Sequence, residues 1–249
     1  MRSLDAAADL LLGARCVGCS RPGRVLCGGC EAALPEGAAV AWPSPAPAGL
    51  ATPWAAAEYA GVVRSMVVGH KEHRLLALRR NLALLLARAV AAGPPTGPLV
   101  LVPVPSRPAS VRARGYDPTY ALTARAAAVL RTAGHDVVTQ RLLRTRPGVV
   151  DQAGLDAGAR AANLAGSMCC PSPALRRVGR RRPRARFVVC DDVLTTGATA
   201  REAQRALESV GLEVTRVAVV AATRRRLPPR TRGLGESSGP RVSPGPNTH

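Results

Sequence analysis

Hydrophobic positions along this chain alternate between two periods. Continuous, β-rich apolar runs at Leu99 to Val104, Phe187 to Cys190 and Val214 to Ala222, with shorter ones at Ala55 to Tyr59 and Val137 to Leu143, predict strands. Between them, apolar residues recur at helical spacing over Val62 to Val68, Leu75 to Ala92, Tyr120 to Thr132 and Thr199 to Val210. A shorter helical pattern covers Leu4 to Leu12, and Trp42 to Pro53, dense in Pro and Ala, reads as a linker. Beyond Thr223 the chain turns to Arg, Pro, Gly and Ser, a composition that cannot bury enough surface to order itself. Strands interleaved with helices predict an α/β fold, a Rossmann-like, mostly parallel sheet covered on both faces. The expected units are residues 1–45, a helix with a cysteine module, residues 54–224, the α/β domain, and residues 225–249, a basic tail.

Composition sharpens this picture in two ways. Only six of the 249 residues are aromatic (two Trp, three Tyr, one Phe), so the core must be built from Ala, Val and Leu. The net charge of +19 comes from arginine, because Lys71 is the only lysine. Such a field attracts polyanions, which predicts weak, salt-dependent nucleic-acid binding. Two clusters carry much of the charge, Arg176 to Arg186 and Arg224 to Arg232. Neither is interleaved with aromatic residues, so solvated loops explain them equally well. Leu10 to Leu12 is too short for a secretion signal, and Leu82 to Ala92 contains Arg88 and is too short to span a bilayer. The expectation is a cytoplasmic protein without a membrane span.

Four of the seven cysteines fall within fifteen residues as Cys16-x-x-Cys19 and Cys27-x-x-Cys30. Two such knuckles make a tetrahedral thiolate site that suits structural Zn²⁺, with a redox pair or a disulfide staple as the alternatives. Glycines 18, 23, 28 and 29 supply the turns. Cys169 and Cys170 fit no ligand spacing, and Cys190 reads as a small buried hydrophobe.

The densest chemistry follows the strand at Phe187. Asp191 and Asp192 end the apolar run, and Thr195-Thr196-Gly197-Ala198-Thr199 leads into a helical pattern. A helix N-terminus with unpaired N–H groups, a close-approach glycine and three threonine hydroxyls favours a phosphate. The two carboxylates are placed to accept sugar hydroxyls or orient Mg²⁺. With no Gly-Lys-Ser/Thr and one glycine, the loop is neither a Walker A loop nor a G-x-G-x-x-G turn. It resembles the PRPP signature of type I phosphoribosyltransferases. The segment after the Leu99 strand, Pro105 to Tyr116, reads as a second loop in which Arg107, Arg112 and Arg114 with Gly115 would grip a pyrophosphate or form a basic surface.

Taken together, the paired Cys-x-x-Cys units, Val102-Pro103-Val104-Pro105 with Arg112-x-Arg114-Gly115-Tyr116, Gln152-x-x-Leu155 with Arg160-x-x-Asn163, and the Asp191 to Thr199 segment resemble the ComF family. These are competence-related proteins that join a zinc ribbon to a phosphoribosyltransferase domain. The resemblance implies that Asp191 and Asp192 address ribose and Mg²⁺, that residues 195–199 hold the 5′-phosphate, and that Arg112, Arg114 and Gly115 serve the pyrophosphate. Gln152, Arg160 and Asn163 fall in the segment expected to cover the site, with a structural turn at Asn163 as the alternative.

Two positions depart from the family pattern. Asp117-Pro118 stands where an Asn-Gln pair is usual, placing a carboxylate near the pyrophosphate side while forming a good helix start. Lys71-Glu72-His73-Arg74 lacks the aromatic and glycine of the family's Lys-aromatic-x-Gly segment, so Lys71 reads as a surface residue.

Two functions follow. One is Mg²⁺-dependent phosphoribosyl transfer from PRPP to an acceptor, linked to competence and DNA uptake. The other is a non-catalytic nucleotide- or DNA-binding accessory factor that handles single-stranded DNA or joins the uptake machinery.

Overall fold

The computed structural model describes residues 13–93, 97–146 and 166–223. Within them a six-stranded sheet runs in the order β1-β2-β8-β7-β3-β4. Its strands are β1 (Ala39–Val40), β2 (Pro53–Glu58), β3 (Leu99–Pro103), β4 (Val137–Thr139), β7 (Arg186–Leu194) and β8 (Val214–Ala222). Every neighbouring pair is parallel except β1 with β2, which is antiparallel at one edge. β5 (Arg144–Thr145) and β6 (Met168–Cys169) form a separate antiparallel pair.

Seven α-helices accompany the strands among the described residues, with one short 3-10 turn at Leu76–Leu78. They are α1 (Gly28–Ala32), α2 (Gly61–Lys71), α3 (Arg79–Ala91), α4 (Pro108–Arg114), α5 (Pro118–Thr132), α6 (Ser172–Arg181) and α7 (Ala198–Glu208). The fold is thus the α/β, Rossmann-like architecture the periodicity predicts. No helix among the described residues is long and apolar enough to cross a membrane.

The period-two pleat divides the core in two. On one face Val188 and Cys190 of β7 and Ala218 and Val220 of β8 meet α2, α3 and α5 through Met66, Leu82, Leu86, Leu122 and Ala126. On the other, Val189, Val217 and Val219 meet α7 through Ala203, Ala206 and Leu207, with Val178 of α6. Alanines on α5 and α7 let helices sit close to the sheet, which offsets the shortage of aromatic rings. Cys190 is fully buried, as read from the sequence, and burial pushes its thiol pKa up.

Four expectations need correction. The Arg176 cluster is largely helical, not looped: α6 carries Arg176, Arg180 and Arg181 while its Val178 reaches the core. Residues 108–114 of the arginine loop are likewise helical, opened by Pro108 and closed by Gly115 at φ 75°. The strand at Phe187 does not stop at Cys190 but runs through both aspartates to Leu194. The supposed linker packs against α7: the Ala51 N–H donates to Gln204 Oε1 at 2.8 Å, Gln204 Nε2 donates to the Gly49 carbonyl at 2.9 Å, and Leu50 is buried. The helix expected at Leu4 to Leu12 and the tail 225–249 lie outside the described residues.

Candidate anion site and metal centre

In an open parallel sheet, ligands bind beyond the carboxyl ends of the strands. β7 delivers Asp191 and Asp192 to that edge. The pleat sends Asp192 to the face shared with Cys190 and α2, and Asp191 to the face of α7. Asp192 is 8% exposed. The Asp192 N–H donates to Asp191 Oδ1 at 2.8 Å. Burial, with Asp192 alongside, pushes the Asp191 carboxyl well above the usual carboxylate range. Two carboxylates under this constraint favour a nearby cation.

Residues 195–197 then turn the chain into α7. Thr195 and Thr196 are exposed, and Thr196 Oγ1 accepts from the Ala198 N–H at 3.4 Å. Gly197 takes φ 77°, a left-handed conformation that favours glycine. A Cβ there would lie 3.1 Å from Pro43, 3.2 Å from Leu50 and 3.2 Å from Pro47. The glycine's bare side therefore faces the 43–50 segment, and its role in the structure is to seat that segment. Thr199 follows, half-buried in the first turn of α7.

The arginine segment approaches through α2. Arg114 Nη2 lies 2.9 Å from both carboxylate oxygens of Glu72. The Tyr116 hydroxyl donates to the His70 carbonyl at 2.7 Å, which caps an open end of α2. Arg79 lies over the Tyr116 ring, 5.6 Å from its centroid. Ser106 Oγ donates to Asp117 Oδ1 at 2.9 Å, and the same oxygen accepts from the Tyr120 N–H, so Asp117 caps α5 as its sequence predicts. Arg112 is exposed.

Lys71 joins the two halves. Its Nζ lies 2.7 Å from Asp192 Oδ2, with 35% of the lysine side chain and 12% of the aspartate's exposed. Burial works against the lysine's charge, but Asp192 outweighs it and the Lys71 pKa is raised. The expectation of a surface role for Lys71 is therefore overturned: it is the group that ties α2 to the acidic pair. Next to it His70 is buried, its pKa pulled down to about 4 by burial and by Arg79, so its imidazole is neutral. Its Nε2 has no hydrogen-bond partner among the described residues.

Sequence reasoning missed Tyr116 as a cap and Glu72 as the partner of Arg114. For Lys71 a signal was present. A lysine retained in a chain where every other strong base is arginine marks a site that wants a compact ammonium.

The cysteines form a second centre. The sulfurs of Cys16, Cys19, Cys27 and Cys30 lie within 4.8 Å of one another, and Cys19 and Cys27 are 3.5 Å apart. Tetrahedral Zn–S bonds of about 2.3 Å place sulfurs about 3.8 Å apart, so the cluster fits a metal ion and is consistent with structural zinc. Burial opposes the Cys16 thiolate, but N–H groups of Cys27, Cys19 and Gly18 pull its pKa down to about 6. Cys30, beside Cys27 and Cys16, is pushed up to about 12. Protons unevenly shared among four clustered sulfurs are what a divalent cation displaces.

The module is not detached from the fold. Val25 and Leu34 belong to the α2–α3 core, and Asn81 of α3 donates to Glu31 at 2.9 Å. Gly18 lies in the turn closed by the Ser20 N–H on the Cys16 carbonyl and is also needed for contact: a Cβ there would lie 2.8 Å from both Cys30 Sγ and Val62 of α2. Of the four knuckle glycines only Gly23 is left-handed, at φ 115°.

Gln152, Arg160 and Asn163 lie outside the described residues. Comparison with protein-family models and with curated proteins returns no match, so the reading of both centres rests on their own geometry and chemistry.

Proposed function

We infer that the chain is a ComF-like, type I phosphoribosyltransferase-fold protein that binds PRPP with Mg²⁺ and transfers its phosphoribosyl group to an acceptor. The observation that carries this reading is one cluster at the carboxyl edge of the sheet. An acidic pair ending β7 opens directly into a helix N-terminus on one side, and on the other reaches Arg114 through Lys71 and Glu72.

In this reading the N–H groups and hydroxyls of residues 195–199 bind the 5′-phosphate. Asp191 and Asp192 hold the ribose hydroxyls and Mg²⁺, and Arg112 and Arg114 with the backbone at Gly115 take the pyrophosphate. The metal, when bound, spreads the negative charge of the departing pyrophosphate. The chemistry is a displacement at C1: the C1–O bond to pyrophosphate breaks as a bond to an acceptor nitrogen forms. The protein's share is to position both ends of the donor and stabilise the charge that leaves. Lys71 is ion-paired with Asp192, and in this reading its ammonium stands where the charge of the departing pyrophosphate develops. The four cysteines hold a structural Zn²⁺ in a ribbon-like module that shapes the 14–34 segment against α2.

The test is calorimetric titration of the zinc-loaded protein with PRPP, with and without Mg²⁺. Metal-dependent, saturable binding that weakens in Asp191→Asn and Asp192→Asn supports the assignment. Absence of binding moves it to a non-catalytic factor. That second reading is favoured by one feature, the exposed arginines of α6, and predicts DNA retention that falls steeply with salt.

A further inference from the structure

Only two non-glycine residues among those described have positive φ, and one of them, Arg74 at φ 55°, lies beside the anion site. α2 ends just before it: the Glu72 N–H donates to the Val68 carbonyl and the Leu75 N–H closes back on Gly69 at 3.0 Å. A chain reversing at a helix end needs a left-handed residue there. Glycine takes that conformation freely and asparagine tolerates it, whereas a long side chain is strained. Strain at a residue is worth asking about when its side chain has a destination.

The destination here is the end of α4. Arg74 Nη2 lies 3.9 Å from where a Cβ on Gly115 would stand, and its charge acts on Tyr116 together with those of Arg79 and Arg114. Arg114 is held by Glu72, but no carboxylate among the described residues pairs with Arg74. Three guanidinium groups thus converge on Gly115 and Tyr116 against the single carboxylate of Glu72. Left to itself this arrangement is repulsive, and an anion with several phosphate oxygens relieves it.

We propose that Arg74 is a ligand-binding residue of this site, presenting its guanidinium to the pyrophosphate group at the end of α4, with its left-handed backbone as the conformation that aims it. The inference rests on the PRPP reading for its ligand.

The experiment compares the full zinc-loaded chain with Arg74→Gly and Arg74→Asn, which relieve the backbone and remove the charge. The probe is inorganic pyrophosphate with Mg²⁺, followed by calorimetry, alongside thermal denaturation. The expected result is a melting temperature raised by about 2–4 °C and pyrophosphate affinity lowered about fivefold in both variants. Raised stability with unchanged affinity overturns the proposal and leaves the PRPP reading standing, because Arg74 would then be a poor helix stop and nothing more. Lowered stability in both variants also overturns it, since the side chain would then be supporting the fold. No saturable binding of pyrophosphate or PRPP by the unsubstituted chain overturns both readings together.

Discussion

The contact between Lys71 and Asp192 has a worked energy. At 2.7 Å the gross attraction of unit charges runs from about 1.5 kcal/mol in bulk water to about 6 kcal/mol at an effective dielectric near 20. Lys71 keeps 35% of its side chain in solvent, which screens the pair, while Asp192 at 12% has lost most of its hydration. Net coupling should therefore fall between that of exposed pairs, about 0.2–1 kcal/mol, and the 3–5 kcal/mol lost when a buried pair is broken, at about 2 kcal/mol. A double-mutant cycle of Lys71→Met, Asp192→Asn and the double variant, followed by urea denaturation at pH 8, measures it directly.

Its pH dependence has a fixed sign. The native pKa of Lys71 is raised, so its contribution is complete below the unfolded value of about 10.4 and fades as pH rises through the native value. The deficit of Lys71→Met should thus be full at pH 8 and shrink as pH rises through the raised native pKa. Coupling below about 0.5 kcal/mol, or coupling that persists unchanged in alkali, refutes the argument.

Three further outcomes follow from the same geometry. One Zn²⁺ per chain should be found by atomic absorption and lost in Cys16→Ser, with a lower melting temperature, because the first knuckle packs on Val62 of α2. Gly197→Ala should destabilise by about 2 kcal/mol in urea titrations, since φ 77° strains any Cβ and Pro43, Pro47 and Leu50 stand within 3.2 Å of it. Glu202, 4% exposed, receives the Met168 N–H and two bonds from Arg205. Burial opposes its charge, but Arg205 outweighs it and its pKa is lowered, so its stabilisation is present above the unfolded value of about 4.3 and lost on acidification through the native pKa. Glu202→Gln should therefore cost about 2–3 kcal/mol at pH 7 and flatten acid unfolding below about pH 4.

Most of the sheet was readable because strands buried on both faces leave continuous apolar runs, as in Val214 to Ala222, and because α5 and α7 keep a helical period. What escaped has physical reasons. In α6 the apolar positions Leu175 and Val178 are few among arginines, so the segment reads first as a charge cluster although the helix it forms is amphipathic. α4 has no buried residue at all and is set by Pro108 and Gly115 at its ends. β7 continues past Cys190 because ladder partners in β8 hold Asp191, Val193 and Leu194 in line, with Leu194 buried in the core beyond the two carboxylates. The Pro-rich stretch before β2 looked like a spacer because much of its hold on α7 is through backbone groups to Arg201 and Gln204, which leave no mark on its own sequence, and only Leu50 and two prolines add side-chain packing. At the candidate anion site the acidic pair, the threonine loop and the arginines were legible. Lys71 left only the mark of a lone lysine among arginines, and its partner depends on a helix end that the tertiary fold brings to Asp192.

The order of the strands also bears on how the chain acquires its structure. β2 has its parallel partner in β8, so Trp54 waits for Ala218 and Ala57 for Ala221, across most of the described sequence. During synthesis the edge formed by residues 39–58 therefore has no ladder to join until the last described strand has emerged. Closing a loop of that length costs little more entropy than closing a shorter one, so the penalty falls on time rather than on final stability. The apolar face of β2 stays uncovered by the sheet throughout that interval. Late docking of β2 would be the slow step, and the nascent chain would be most open to aggregation or chaperone capture just before β8 is complete.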